Sequence, residues 1–185
     1  MADEVELKAK IGSREEIAGR IIAAGGRFLR EVSQRDVYFR HPCYDLRWRD
    51  EALRLRYEGG DCILTFKGRR TGSGVKRREE VEVRVGEGSA VAMILRRLGF
   101  EEAFVVRKDR RIYAMDGAEV SLDSVEGLGD FVELELVLEE GASGEDVGER
   151  LHSLAERLQV PKEELTTKSY LELLASKSSS SRASK

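Results

Sequence analysis

Proline and aromatic residues are scarce: two prolines in 185 residues, and 6% Phe, Tyr and Trp. A chain of this length and makeup fits one compact domain and leaves little room for a second. Cysteine is almost missing too. Cys43 and Cys62 lie far apart, with no CxxC spacing and only His41 and His152 to assist, which excludes a Cys/His zinc site and fits a reducing, cytoplasmic compartment. No apolar run approaches the ~20 residues of a membrane span, and the acidic opening Met1-Ala2-Asp3-Glu4 is not a signal peptide, so no membrane partner is expected. An excess of one charge sign is also lacking. Lys and Arg number 32 against 35 Asp and Glu, so no global positive field advertises nucleic acid, and any basic site must be local.

What is abundant is charge of both signs, 36% of residues against a usual ~25%. Its placement follows a period of two, the period of a half-buried strand. Glu4, Glu6 and Lys8 alternate with Val5 and Leu7. Arg54 and Arg56 alternate with Leu53 and Leu55, Glu80 and Glu82 with Val81 and Val83, and Glu133 and Glu135 with Val132, Leu134 and Leu136. Glu119, Ser121 and Asp123 oppose Val120 and Leu122. Nearly every strand therefore has one charged face.

Turn and cap signals set the order of elements. Gly59-Gly60 and Asp116-Gly117 mark hairpins, Ser13 with Glu16 forms a capping box, and Ser89 is placed to cap a second helix closed by Gly99. Gly68 to Gly74 reads as a mobile basic loop, helices are expected near Ser143–Leu158 and Thr167–Ser176, and the Ser/Lys-rich tail at 177–185 as disordered, leaving residues 1–176 as the domain. The resulting order is strand, helix, four strands, helix, three strands, helices, which excludes a parallel βαβ array and predicts an antiparallel α+β or barrel protein.

Two arrangements satisfy this pattern. An open sheet would solvate its charged face. A sheet closed into a tunnel would turn the charged faces inward and the apolar faces outward under the helices. Same-face carboxylate pairs on three strands favour the tunnel, because like charges gathered in this way call for a cation among them. Arg54, Arg56, Lys67, Arg78, Lys108 and Arg110 also fall at strand positions from which they could converge. Carboxylate pairs beside such a wall suit a divalent metal plus a polyphosphate. A wall of like charge further implies that Arg56→Lys would leave the ligand-free fold equally stable or slightly more so.

Glu4-Val5-Glu6-Leu7-Lys8 resembles the ExExK signature of the CYTH superfamily, the triphosphate tunnel metalloenzymes, and the later pieces follow in that family's order. These are Arg54-x-Arg56, Lys67, Arg78-x-Glu80-x-Glu82, Lys108-x-Arg110, Asp123 and Glu133-x-Glu135. Asp36 to Pro42, Glu51 to Arg56 and Val125 to Gly129 look most like the class IV adenylyl cyclase, or CyaB-like, branch. The resemblance implies a closed eight-stranded antiparallel barrel with flanking helices, acting with Mg²⁺ or Mn²⁺ on a nucleotide or organic triphosphate. It implies metal binding by Glu4, Glu6, Glu80, Glu82, Asp123, Glu133 and Glu135. Phosphate binding falls to Lys8, Arg54, Arg56, Lys67, Arg78, Lys108 and Arg110, and a direct part in catalysis to Lys8, Arg56, Lys67 and Asp123. Lys8 has first the simpler task of neutralising Glu4 and Glu6. Cyclisation of ATP to cyclic AMP is the leading expectation, with triphosphate hydrolysis or non-catalytic polyphosphate binding as alternatives and a homodimer allowed. Tyr44 and Trp48 could stack on a base or cover the tunnel mouth, and Lys168-Ser169-Tyr170 could close that mouth.

Overall fold

The structure is a computed structural model that describes the backbone of residues 3–71, 76–137 and 144–182, and their side chains except at 3, 4, 71, 76, 77, 137, 144–146 and 178–182. The elements are β1 (Asp3–Lys10), α1 (Arg14–Ala23), β2 (Arg27–Arg40), β3 (Ala52–Glu58), β4 (Asp61–Thr71), β5 (Lys76–Val85), α2 (Gly88–Arg97), β6 (Glu101–Met115), β7 (Ala118–Val125), β8 (Gly129–Val137), α3 (Gly144–Arg157), β9 (Leu165–Thr166) and α4 (Tyr170–Arg182). The order matches the expectation, with β9 added. Every strand pairs antiparallel in a single sheet, β5-β4-β3-β2-β6-β7-β8-β1-β9.

The expected eight-stranded, fully closed barrel is corrected in two ways. The sheet has nine strands, and β1 meets β5 only through Asp3–Glu6 against Lys76–Glu79. Further along the same edge, Lys8 and Ala9 pair instead with Thr166 and Leu165 of β9. Three other local expectations also shift. Glu87, not Ser89, is the N-cap of α2, and Ser89 Oγ donates to the Glu87 carboxylate. β4 runs through Arg70 to Thr71 past an irregularity in register, so the basic segment is strand over its first part. The backbone of α4 continues to Arg182, carrying helix into the segment read as disordered.

The alternating sequence resolves as apolar outside and charged inside. Val5, Leu7, Val120, Leu122, Val132 and Leu134 pack outward beneath Ile17 and Ile21 of α1, Val147, Leu151 and Leu154 of α3, and Leu158 just after it. Val37, Phe39 and Leu55 meet Ala92 and Leu95 of α2 in the same way. Burying each large aliphatic side chain contributes roughly 1.5–3 kcal/mol. That burial fixes the register, because a slip of one residue would put the charges under the helices and the leucines in the cavity.

Candidate active site

The opposite strand faces surround a cavity of about 200 Å³. All of its strand-borne lining residues except Tyr38 and Ala52 are charged, and basic and acidic side chains are equal in number. Glu6, Lys8, Arg54, Arg56, Lys67, Arg78, Glu80, Glu82, Lys108, Arg110, Glu133 and Glu135 all line it. The backbone of Glu4 pairs with Arg78 and Val137, while its side chain lies outside the described residues.

Each buried cation has an internal partner. Lys8 Nζ lies 2.7 Å from Glu6 and 2.6 Å from Glu133. Burial alone would lower the Lys8 pKa, but Glu133 and Glu6 outweigh it and raise it, so this ammonium stays charged. Lys8 thus neutralises Glu6, as expected, with Glu133 as its second partner, while the Glu4 side chain lies outside the described residues. Lys67 pairs with Glu80, and Arg110 with Glu133. Arg54 donates to Thr65 Oγ1 at 3.0 Å and to Glu82 at 3.1 Å. Arg78 donates to the carbonyls of Gly68 and Asp50, so much of it is committed to holding the wall.

Asp123, expected among the metal ligands, is not one of the residues that line the cavity. It is fully buried behind the lining and accepts from Lys108 Nζ at 2.9 Å, from Arg110 Nε and Nη2 at 2.7 and 2.6 Å, and from the Tyr170 hydroxyl at 2.8 Å. A carboxylate so occupied serves as the counter-ion that aims two cations. Lys108 is brought down to about 8 by burial and by Arg110, against the pull of Asp123 and Glu133, so near pH 8 it is part charged and part neutral.

Three residues of the site escaped the sequence reading. Asp36, 3% exposed, takes a bidentate fork from Arg56 at 2.7 Å on both oxygens and lies 3.9 Å from Arg54. Arg56 is therefore a paired ion, and the idea that shortening it merely relieves repulsion does not hold. Thr65, also buried, joins Arg54 to Glu82. Glu119 lines the cavity beside Glu135. Period-two spacing could have picked out Asp36 and Tyr38 on one face of β2, whereas Thr65 carries no charge to mark it. His41 accepts from the Cys43 N–H and contacts the Leu98 carbonyl, Trp48 is 83% exposed, and neither these two nor His152 lines the cavity.

Burial pushes the carboxyls of Asp36, Asp123 and Glu133 up, but Arg56 and Arg54 for the first, Arg110 and Lys108 for the second, and Arg110 and Lys8 for the third hold all of them below the usual range. The unfolded chain therefore binds more protons than the folded one below about pH 4. Their stabilisation is complete above that pH and is lost as pH falls toward the depressed folded values. Calorimetric melts should be level from pH 7 to about 5 and fall steeply below about 4; a melting temperature unchanged at pH 3 would contradict these ion pairs.

Among the described residues, no three Asp, Glu, His or Cys side chains are already gathered around a metal position. The donor set nevertheless fits a hard divalent cation. Glu6 is registered directly against Glu135, and Glu135 against Glu119, so three carboxylates stand abreast on β1, β8 and β7 and all line the cavity. Like charges in direct register are unfavourable, and oxygen donors of this kind suit Mg²⁺ or Mn²⁺. With its own charges balanced, the cavity also gains little by admitting a bare polyanion unless a cation comes with it.

Residues 2–170 match the CYTH domain family. The chain belongs to that family. A Methanocaldococcus jannaschii relative, MJ0240, named as a candidate adenylate cyclase, is 37% identical over 92% of this chain and 97% of its own. The adenylate cyclase CyaB of Aeromonas hydrophila is 29% identical over 90% and 86%. The solved structure of PH1819 from Pyrococcus horikoshii superposes with a TM-score of 0.86 at 36% identity, covering 94% of this chain and 99% of that one. Among the described residues, no helix is long and apolar enough to cross a membrane.

Proposed function

We propose that this CYTH protein is a divalent-metal-dependent enzyme of the triphosphate tunnel type, acting on a nucleotide or organic triphosphate, with ATP cyclisation as the leading activity. The observation that carries the reading is the cavity itself, in which strand-borne cations face carboxylates standing abreast. The names of the two sequence relatives supply the cyclase direction. In that reaction the ribose 3′-oxygen bonds to the α-phosphorus as the α–β anhydride breaks, the hydroxyl proton is lost to solvent or a base, and cyclic AMP and pyrophosphate result.

Charge develops on phosphoryl oxygens in such a step, and a fixed set of donors stabilises it without reorganising. Arg56 and Arg54 offer guanidinium forks, and Lys8 and Lys108 point charges. Asp36, Asp123 and Glu133 hold those cations in place until phosphate oxygens take over their hydrogen bonds. Glu6, Glu135 and Glu119 would hold Mg²⁺ or Mn²⁺, which when bound neutralises phosphate charge.

A second reading is favoured by the composition of the lining. Every inward strand position of the lining except Tyr38 and Ala52 carries a charge suited to phosphate or to metal, which leaves few groups to read the organic part, as suits a triphosphatase in which water is the nucleophile. The deciding experiment incubates the protein with ATP and Mn²⁺, then with tripolyphosphate, and resolves cyclic AMP, pyrophosphate and orthophosphate. Cyclic AMP with stoichiometric pyrophosphate establishes the cyclase, and orthophosphate from both substrates the triphosphatase. Turnover should vanish with EDTA and return with metal; undiminished turnover in EDTA, or none with either substrate, would overturn the assignment.

A further inference from the structure

The outer face of the sheet is not covered everywhere. α1 and α3 lie over β1, β7 and β8, and α2 lies over Val37, Phe39 and Leu55. Between them a groove of about 500 Å³ runs along β2, β6 and the end of β7, larger than the cavity inside and of a size usual for small-molecule sites. Ser33, Arg35, Arg107, Asp109 and Ser124 line it from outward strand positions, and Tyr57 joins them from β3.

The outward residues of β2 and β6 form a ladder of directly registered pairs. Glu31 stands against Arg111, Ser33 against Asp109, Arg35 against Arg107 and Val37 against Val105. Three of these pairs are complementary. Arg111 Nε donates to Glu31 at 3.1 Å, Ser33 Oγ donates to Asp109 at 2.5 Å, and the two valines are apolar alike. Arg35 and Arg107 are not complementary, and like charges directly opposite are unfavourable without an anion to share.

Neither arginine is tied to a buried carboxylate. Arg107 is 57% exposed and its ion-pair partner Glu126 stands 3.9 Å away at 71% exposure, a contact that water weakens. Arg35 lies over the Tyr57 ring, 5.2 Å from its centre, and among the described residues it has no carboxylate partner. A guanidinium held against a ring in this way keeps N–H groups at its edge for an acceptor with two oxygens.

We propose that this groove is a second anion site, in which Arg35 and Arg107 together grip the phosphate group of a small phosphorylated molecule. Phosphate fits because a dianion answers both charges at once and offers oxygens to each guanidinium, which one solvated carboxylate cannot do. The site stands independently of the function assigned to the inner cavity. One thickness of sheet separates the two, since Asp36 and Lys108, the residues that follow Arg35 and Arg107, line the inner side.

Backbone amide NMR shifts of the natural protein, titrated in EDTA with inorganic phosphate and separately with AMP, test this, with chloride at equal ionic strength to account for general screening. Saturable shifts are expected at residues 33–35, 107–109 and Ser124, and smaller ones or none at Arg54, Lys67 and Glu80 of the inner cavity. Arg35→Gln and Arg107→Gln should each weaken phosphate binding about tenfold, the scale of one charge-assisted contact. Glu126→Gln should strengthen it about twofold by removing the competing carboxylate. Without ligand, Arg107→Gln should melt at the natural temperature or slightly above, which a residue that holds the fold would not do. Tighter binding of AMP than of phosphate identifies an organic phosphate as the source, and equal binding an inorganic one; both uphold the site. Shifts confined to the inner lining, chloride matching phosphate, or unchanged affinity in both arginine variants would overturn it. The map on the natural protein decides the matter even if a variant fails to fold.

Discussion

Asp36→Asn is expected to destabilise the ligand-free protein by about 3–5 kcal/mol, the usual cost of removing one partner from a buried ion pair. Asp36 is 3% exposed, both its oxygens are engaged by Arg56, and Arg54 stands 3.9 Å away. The amide can accept from one guanidinium N–H but cannot neutralise it, so two buried cations lose their common counter-ion. For a chain of this size the loss corresponds to roughly 6–20 °C in melting temperature. A bound triphosphate supplies the missing negative charge, so the rise in melting temperature on adding tripolyphosphate and Mg²⁺ should be larger in Asp36→Asn than in the natural protein. Paired melts with and without ligand measure both quantities. A variant melting within about 2 °C of the natural protein, or gaining no more from ligand, would show that Asp36 does not hold Arg56 in the ligand-free protein.

This pairing marks the boundary of what the sequence discloses. Period-two alternation places Arg54, Arg56, Glu80, Glu82, Glu133 and Glu135 inside, because a strand's face assignment is local and the packing of Leu53, Leu55 and Leu134 under helices enforces it. Which charge meets which is not local. Asp36 reaches Arg56 across a strand pair whose residues stand 20 apart in sequence, and Tyr170 reaches Asp123 across 47. Same-face carboxylates on β8 also look equivalent in sequence, yet Glu133 is taken by Lys8 and Arg110, whereas Glu135 stands between Glu6 and Glu119. The short seam between β1 and β5, and its replacement by β9 at Lys8 and Ala9, depend on how far the strands tilt around the cavity, which no motif records. Tyr38, Val106, Val125 and Phe131 stand on strands far apart in sequence, and that they cluster about Tyr170 becomes visible only when α4 is seen packed against them.

The direct register of three carboxylates makes Glu135 the most sensitive test of the metal site. Glu135 has Glu6 on one side and Glu119 on the other, all three facing the cavity, so removing it takes away the middle donor. Glu135→Gln keeps volume and strand geometry and retains an acceptor oxygen, but gives up the charge a hard cation requires. Turnover should fall by about 10²–10³, equivalent to roughly 2.7–4 kcal/mol of transition-state stabilisation by analogy with the loss of one fixed charge-stabilising group. Glu119→Gln should cost less, because Glu119 is exposed and its register partner on the other side is Ala114, not a carboxylate. The metal dependence separates this from a folding defect. Raising the Mn²⁺ concentration should recover part of the Glu135→Gln activity, and the shift in melting temperature caused by tripolyphosphate plus metal should shrink, by mass action, as affinity falls. If Glu135→Gln instead turns over normally at limiting metal, or its activity loss is matched by a loss of ligand-free stability with no response to added Mn²⁺, the three carboxylates abreast are a structural feature of the wall and the metal must be held elsewhere.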